Sequence, residues 1–555
     1  MRKWGRLLSG VLCLTMLSAC ALPGHGGASD EPDEGNATAY TVPKDVTVTY
    51  PSASGNGAAG GNGQQTSNIP ACGGFAVSSS SNEATETGMQ ILAQGGNAVD
   101  AAIAMSYVLG VCEPYSSGLG GSGFMVVYMP DEQCAYSLNY RATAGSSYPS
   151  DEILVPGLVM GMEEAANQWG TMSMAQLMEP AIDYANNGFQ ASADFVKRVQ
   201  HYASVSSAPV FSGVKAGDTV VQTQLGSTLE TIQREGASAF YTGQIAQDIA
   251  SASTLSTADI ANYQVSVTQA PSVSYGDYTL YASDAPSSGI TVLQMMKLAE
   301  KLQMPSPSED AAGYLQTLKK CQQTAYAARS HNLVDPNFGD YDSAYYTSDG
   351  YIEGLAASAA APVESDPERQ CTTQFSVIDG NGMVVNVTNT LSDSWGSCKQ
   401  VDGFYLNNTG SNFSDSGINT YEAGKQPRTH IAPVIAVGAD GGALAVGSPG
   451  GSVIPQLVMP VLQNILSFGV DPVTAVEQSR FVFDDDGRMC METDDNGNTG
   501  KKLLDQSGLS MNFYYNNSRI YFGCTSLVGY SPDFGVFGVC DMRRGTSAAM
   551  YYHYE

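Results

Sequence analysis

The chain has 555 residues, 43% of them apolar, enough for one large core or for two domains. Its 25 basic residues stand against 54 acidic ones, and no basic stripe offsets the net charge of −29. That balance excludes nucleic acid as a partner and reads first as a solubilising surface; a polyanionic substrate would need a local basic pocket.

Arg2, Lys3 and Arg6 precede a short apolar run from Leu7 to Leu17, the pattern of an export signal. Leu17-Ser18-Ala19-Cys20 has the form of a bacterial lipoprotein signal, with cleavage before Cys20 and lipid attached to it. The alternative is an ordinary secretory peptide that ends in Cys. No later run reaches the roughly 20 apolar residues that cross a bilayer. The expectation is an extracytoplasmic protein, held to the bacterial cell membrane by its lipid anchor alone. With residues 1–20 as the signal, residues 21–70 are a Gly/Ser-rich flexible tether.

The five histidines are scattered and no Cys-x-x-Cys occurs, so neither a metal nor a cofactor is expected. Order begins near Gly74. The pattern has Asn82 cap a helix from Glu83 to Gln94, which Gly95-Gly96 breaks, and Asn97 cap a second helix. The Gly-rich stretch from Glu113 to Gly121 lacks the Lys-Ser/Thr of a phosphate loop. It also follows a helix and precedes a strand, the reverse of a dinucleotide site. Strands over 124–128 and 135–140 follow, the second ending at Arg141. A helical region runs from Val155-Pro156-Gly157 to about 260. Residues 265–282 read as strands, and helices begin near Ile290 and cover 325–329. The stretch 340–371 reads as irregular.

Cys371 to Asp379 is a strand, with alternation from Gln374. Asp379-Gly380-Asn381-Gly382 is a tight turn, and 383–388 returns as a second strand. Read alone, this is a hairpin. A sharper reading has the chain cut before Thr372, which places a free α-amine beside that residue's own hydroxyl, a base and a nucleophile in one residue. Beyond it come a hairpin closed by Gly441-Gly442, the turn Gly447-Ser448-Pro449-Gly450-Gly451, and a helix over about 454–468.

Several motifs stand in a telling order: Glu113-Pro114 with Ser116-Ser117-Gly118 and Gly120-Gly121; Val155-Pro156-Gly157; Phe240-Tyr241-x-Gly243; Pro286-Ser287-Ser288-Gly289; Ala325-Tyr326-Ala327 with Arg329; Thr372-Thr373; Thr390-Leu391; Gly447 to Gly451; and Asp541 with Arg543. None is diagnostic alone, but the ordered set from about Gly74 to the C-terminus resembles the γ-glutamyltranspeptidases. The resemblance implies an α/β fold, the four-layer αββα sandwich of N-terminal nucleophile hydrolases. It also implies self-cleavage into a large subunit (71–371) and a small catalytic subunit (372–555), which stay together as a heterodimer. Processing would join Cys371 and Thr372. Thr372 would be the nucleophile, Thr390 its hydrogen-bonding partner, and the backbone N–H groups of Gly450 and Gly451 the oxyanion donors. Arg141 would clamp the substrate α-carboxylate. The substrate implied is a small-molecule or peptide γ-glutamyl amide.

The chain also departs from the family pattern. Ser392 stands where Asn is usual. Thr409 and Asn412 replace residues that hold the substrate's α-ammonium, usually Gln or Glu and then Asp. Thr429 and His430 replace a Ser-Ser pair at the α-carboxylate. The expected function is a γ-glutamyl hydrolase or transferase working through a threonyl acyl-enzyme on a glutathione-like or γ-linked donor. The alternatives are an amidase of the same fold whose donor lacks a free α-amine, such as poly-γ-glutamate or another acyl amide, and a non-catalytic binding lipoprotein.

Overall fold

The computed structural model describes residues 38–39, 41, 72–358, 371–483, 489–493, 504–509, 512–515, 523–533, 535–541, 543 and 548–553. The stretch read as an export signal with Cys20, and most of the stretch read as tether, lie outside these residues.

Two antiparallel-rich sheets stack face to face. The strands are β1 (Thr38–Ala39), β2 (Gly74–Ser79), β3 (Ser122–Met129), β4 (Cys134–Tyr140), β5 (Ser266–Gln269), β6 (Ser272–Tyr275), β7 (Tyr278–Ala282), β8 (Cys371–Ile378), β9 (Val384–Ser392), β10 (Val434–Gly438), β11 (Ala443–Gly447), β12 (Ser526–Ser531), β13 (Gly535–Cys540) and β14 (Ala548–His553). The first sheet has the order β1-β14-β2-β8-β9-β3-β4-β5, and the second β13-β12-β11-β10-β7-β6. Helices α1 (Asn82–Ala93), α2 (Ala98–Cys112), α3 (Leu158–Trp169), α4 (Met174–Asn187) and α5 (Ala193–His201) lie on the first sheet's side of the molecule. Helices α6 (Gly289–Lys301), α7 (Ala311–Asn332) and α8 (Ile454–Leu466) cover the second sheet. This is the αββα sandwich that the resemblance implied.

Segments from both sides of Cys371 share the first sheet: β14, β8 and β9 come from 371–555 and the other strands from before it. Strand β2 is hydrogen-bonded on one side to β14 and on the other to β8. Within the stretch read as tether, Thr38 and Ala39 pair in parallel with Met550 and Tyr551. They occupy the open N–H and C=O row that an edge strand presents.

Two other local readings change. The side chain that caps α1 is Ser81, whose Oγ accepts from the Ala84 N–H, so Asn82 is the first helical residue. The stretch from 340 is not wholly irregular. Short helices cover Ser343–Thr347 and Asp349–Ala357, capped by Asp342 and Ser348. Asn97 does cap α2, in a reciprocal box with Asp100. The hairpin turn is pinned to the same helix end: Asp379 accepts from the N–H groups of Ala98, Asn381 and Met383.

The alternation in β8 and β9 does not place one face in water, since every residue of both strands is buried. Phe375, Val377, Val385 and Val387 pack in the cluster with α1 and α2. Gln374, Ser376, Asn386 and Thr388 face the second sheet and satisfy one another. Thr388 Oγ1 donates to Gln374 Oε1, and Gln374 Nε2 and Ser376 Oγ donate to Asn386 Oδ1. Asn386 Nδ2 then reaches the carbonyls of Val434 and Val446, both at 2.9 Å, tying β9 to β10 and β11. Buried polar groups are tolerated here because each finds a partner. Gly447, at the end of β11, leaves the room that the Gln374 amide fills; a Cβ there would overlap it. Gly447→Ala is therefore expected to destabilise the protein by about 1–3 kcal/mol, the usual cost of overpacking. Denaturant unfolding of the variant beside the wild type measures this.

Candidate active site

The bond between Cys371 and Thr372 lies at an irregularity in the β8–β9 ladder. Cys371 is opposite Ser392 and Thr372 is opposite Thr390, so Leu391 is the extra residue of a bulge. The backbone of Leu391 is engaged elsewhere: its N–H donates to the Ser116 carbonyl and its carbonyl accepts from Asn408 N–H. The Cys371 carbonyl takes a side-chain partner. Thr390 Oγ1 donates to it at 2.7 Å and itself accepts from the Ser392 N–H at 2.8 Å. Ser392 has φ +81°, a strained value for a non-glycine residue of the kind that collects at functional sites.

The surroundings of this bond are closed. Cys371, Thr372 and Thr390 are all buried. The Cys371 thiol lies 3.1 Å from the Tyr115 carbonyl, 3.3 Å from Ser116 Oγ and 3.8 Å from Arg198 Nη1. Arg198 sits over the Tyr115 ring and pairs with Asp194. Burial opposes its charge, but Cys371, Tyr115 and Asp194 outweigh that and hold its pKa above the ordinary value. Next along β8, Thr373 Oγ1 donates to Glu113 Oε2, which also accepts from Ser80 Oγ.

Arg141 follows directly on β4 and is fully buried. Its Nε donates to the Pro427 carbonyl, which brings it to the loop that carries Thr429 and His430. Thr429 is fixed by its neighbours: its N–H donates to the Pro286 carbonyl, and its own carbonyl accepts from Ser288 Oγ. His430 stacks on Tyr326 of α7 at 5.7 Å between centroids. Tyr326 in turn donates through its hydroxyl to the Ser452 carbonyl. Through Tyr326 this wall is linked to the turn at Gly450 and Gly451, whose φ values are +144° and +58° and which lead into α8. Gln374 is packed at Gly447, and Thr372 lies two residues back along the same face of β8. That sets Thr372 towards the 448–451 turn that leaves β11.

Ser392 and Asn412 also meet, and Thr409 opens the short helical turn that ends at Asn412. Ser392 Oγ donates to Asn412 Oδ1 at 3.0 Å, and Ser411 Oγ lies 3.3 Å from the same oxygen. With its oxygen so engaged, Asn412 leaves its Nδ2 donor buried without a protein partner among the described residues, as is Thr409 Oγ1. The neighbouring carboxylate, Asp393, is turned to Asn408, whose Nδ2 it accepts. Tyr202 and Cys398 sense it, their pKa values being raised by burial first and by Asp393 in part.

The structure thus gathers Thr372, Thr390, Ser392, Thr409 and Asn412 around the end of β9. It places Arg141 with Thr429 and His430, and Gly450 with Gly451 at the head of α8. A model of the family described as gamma-glutamyltranspeptidase matches residues 84–551. The chain belongs to the γ-glutamyltranspeptidase family.

Among relatives of this transpeptidase-family chain is the capsule biosynthesis protein CapD proenzyme of Bacillus anthracis, 38% identical over 74% of this chain and 79% of that protein. The glutathione hydrolase proenzyme of Pseudomonas aeruginosa is 32% identical over 73% of this chain and 82% of its own length. The crystal structure of cephalosporin acylase from Bacillus halodurans superposes with a TM-score of 0.76 over 88% of this chain and 98% of that one. At 21% identity, that likeness concerns the fold. Membership of the γ-glutamyltranspeptidase family makes the chain an enzyme of γ-glutamyl hydrolysis or transfer.

Sequence reasoning passed over four residues near this site. Tyr326 and Glu113 stood in its motifs without a role. Arg198 stood in a helical stretch with no distinguishing spacing. Ser122 was one small residue in a Gly-rich run. Only Tyr326 carried a local signal, an aromatic hydroxyl between two alanines.

Proposed function

We propose that this γ-glutamyltranspeptidase relative is an extracytoplasmic lipoprotein that cuts its own chain before Thr372 and then uses Thr372 to hydrolyse or transfer γ-glutamyl groups. The observation that carries the reading is the Thr390 hydroxyl on the Cys371 carbonyl, at a bulge that takes this peptide group out of the regular ladder. A donor already aimed at that oxygen favours charge developing there.

In self-cleavage, Thr372 Oγ adds to the Cys371 carbonyl carbon as its proton leaves. The C–N bond then breaks, a proton going to the departing nitrogen, and an ester joins Cys371 to the Thr372 oxygen. Water cleaves that ester to give a Cys371 carboxylate and a Thr372 with free hydroxyl and α-amine. In turnover the amine takes the hydroxyl proton as Oγ attacks the γ-amide carbonyl of the donor, and passes it to the leaving amine. Water or an acceptor amine releases the acyl group. Gly450 and Gly451 supply backbone N–H groups to the oxyanion, and Arg141 with Thr429 and His430 receives the α-carboxylate. The two segments remain a heterodimer because they share the first sheet.

A narrower reading of the donor rests on Asn412. A free α-ammonium calls for acceptors and negative charge, whereas Thr409 and Asn412 offer a hydroxyl and an amide N–H₂. That pair suits the carbonyl of an acylated α-nitrogen, as in the interior of a γ-linked polymer. The capsule-biosynthesis description of the Bacillus anthracis relative is in keeping with this reading.

Purified protein should run as two fragments under denaturing conditions. Thr372→Ala should leave one chain, and Thr390→Val should slow the cut by about 10²–10³-fold, with Thr390→Ser closer to wild type. A wild type that stays as one uncut chain sinks the enzyme mechanism. For the donor, kcat/KM for an N-acetyl-γ-glutamyl anilide should exceed that for the free-amine anilide, and Asn412→Asp should shift the preference towards the free amine by about tenfold or more. A wild type that prefers the free amine refutes the narrower reading. Cys20→Ala should move the protein from the membrane fraction to the medium; unchanged fractionation tells against the lipid anchor.

A further inference from the structure

The register of the first sheet sets a row of residues across its strands. Thr372 on β8 is opposite Thr390 on β9, and Thr390 is opposite Ser122 on β3. The last pair between β3 and β4 is Gly123 with Tyr140, so the next residue of each chain, Ser122 and Arg141, carries the row on. Side chains at paired positions share a face. That face is the one between the sheets. Val126, Ile378 and Val384, each an even number of residues from Ser122, Thr372 and Thr390 respectively, pack in the inter-sheet cluster, whereas Met125, Val127, Val377 and Val385 pack on the helical side.

Ser122 is fully buried, and its Oγ has no hydrogen-bond partner among the described residues. A buried hydroxyl left so costs free energy unless something else supplies a partner. Strands are about 4.8 Å apart, so the backbone of Ser122 is roughly 10 Å from that of Thr372, and that of Arg141 roughly 14 Å. In a γ-glutamyl group the reacting carbonyl and the α-carboxylate are four carbon–carbon bonds apart, roughly 5 Å when extended. Once the Thr372 and Arg141 side chains take up their share of the span, an acyl group held between them passes over Ser122.

We infer that Ser122 is a specificity residue whose hydroxyl donates to the α-carboxylate of the bound γ-glutamyl group beside Arg141. This rests on the γ-glutamyl reading of the site. Its chemistry is that of an O–H donor to an anion, stronger than a neutral pair and directional. Together with Arg141 it would fix the carboxylate at one end of the row while the γ-carbonyl lies over Thr372 at the other.

The test uses the processed, full-length protein with Ser122→Ala and Ser122→Gly. Self-cleavage on a denaturing gel reports folding of each variant. Turnover of a γ-glutamyl anilide is then inhibited with N-acetylglutamate and, separately, with its α-carboxamide counterpart, and inhibition constants are compared with wild type. The expected result is a constant for the carboxylate ligand weakened by about 10- to 100-fold, with that for the carboxamide changed much less. A carboxylate constant within about twofold of wild type, or equal weakening for both ligands, overturns the assignment. Variants that fail to self-cleave also overturn it, since Ser122 would then serve the fold. If wild type turns over no γ-glutamyl anilide at all, the failure belongs to the γ-glutamyl reading, which the wild-type baseline separates from the Ser122 result.

Discussion

The bulge at Leu391 is the constraint around which this site is arranged. A regular ladder would engage the Cys371–Thr372 peptide group in strand pairing and bury it inertly. With one extra residue in β9, the ladder breaks at that peptide, and the carbonyl of Cys371 turns to the hydroxyl of Thr390. The displaced backbone of Leu391 is taken up by Ser116 and Asn408, so the irregularity is stabilised from both sides. The positive φ of Ser392 is the local cost. The same residue orients Asn412 through its hydroxyl, and so one distorted position joins the bond between Cys371 and Thr372 to the neighbouring pocket.

The polar layer between the sheets serves the same end. Two sheets packed through aliphatic side chains alone have latitude to slide. Here Asn386 grips two carbonyls of the second sheet while Gln374 and Ser376 hold its oxygen. This fixes β8 against β11, and hence Thr372 relative to the turn at Gly450 and Gly451. The route from Tyr326 to Ser452 and His430 supports the far wall from the helical layer. Preorganised donors are worth most in such dry, fixed surroundings.

Much of the fold was legible in short-range pattern. The Asn97 cap, the turn at Asp379 to Gly382 and the hairpin closed at Gly441-Gly442 follow from residue chemistry that acts within a few positions. The misses are of two kinds. Ser81 and Asn82 are both good caps, and choosing between them depends on where the chain leaves β2. The helices between 343 and 357 are too short and too poor in apolar periodicity to stand out. The site was legible only where residues form ordered motifs. Thr390 and Arg141 are unexceptional in a sequence, and their meaning came from resemblance. Ser122 and Arg198 carried no signal, because what distinguishes them is a neighbour far along the chain.

By itself, the sequence determined the local chemistry of this protein: an acidic chain, a hydroxyl residue at the head of a strand, glycines where φ must be positive, and an order of motifs specific to one family. These are properties of residues and their near neighbours. Tertiary structure alone decided that Leu391 is the residue left out of the ladder, that the polar face of β8 is buried rather than wet, and that Thr372, Thr390, Ser122 and Arg141 lie in one row. Register and sheet stacking are settled by pairings between segments far apart in the chain, such as Thr390 with Ser122 and Gly74 with His553, driven by burial of the apolar faces. No local pattern encodes which residues end up opposite one another.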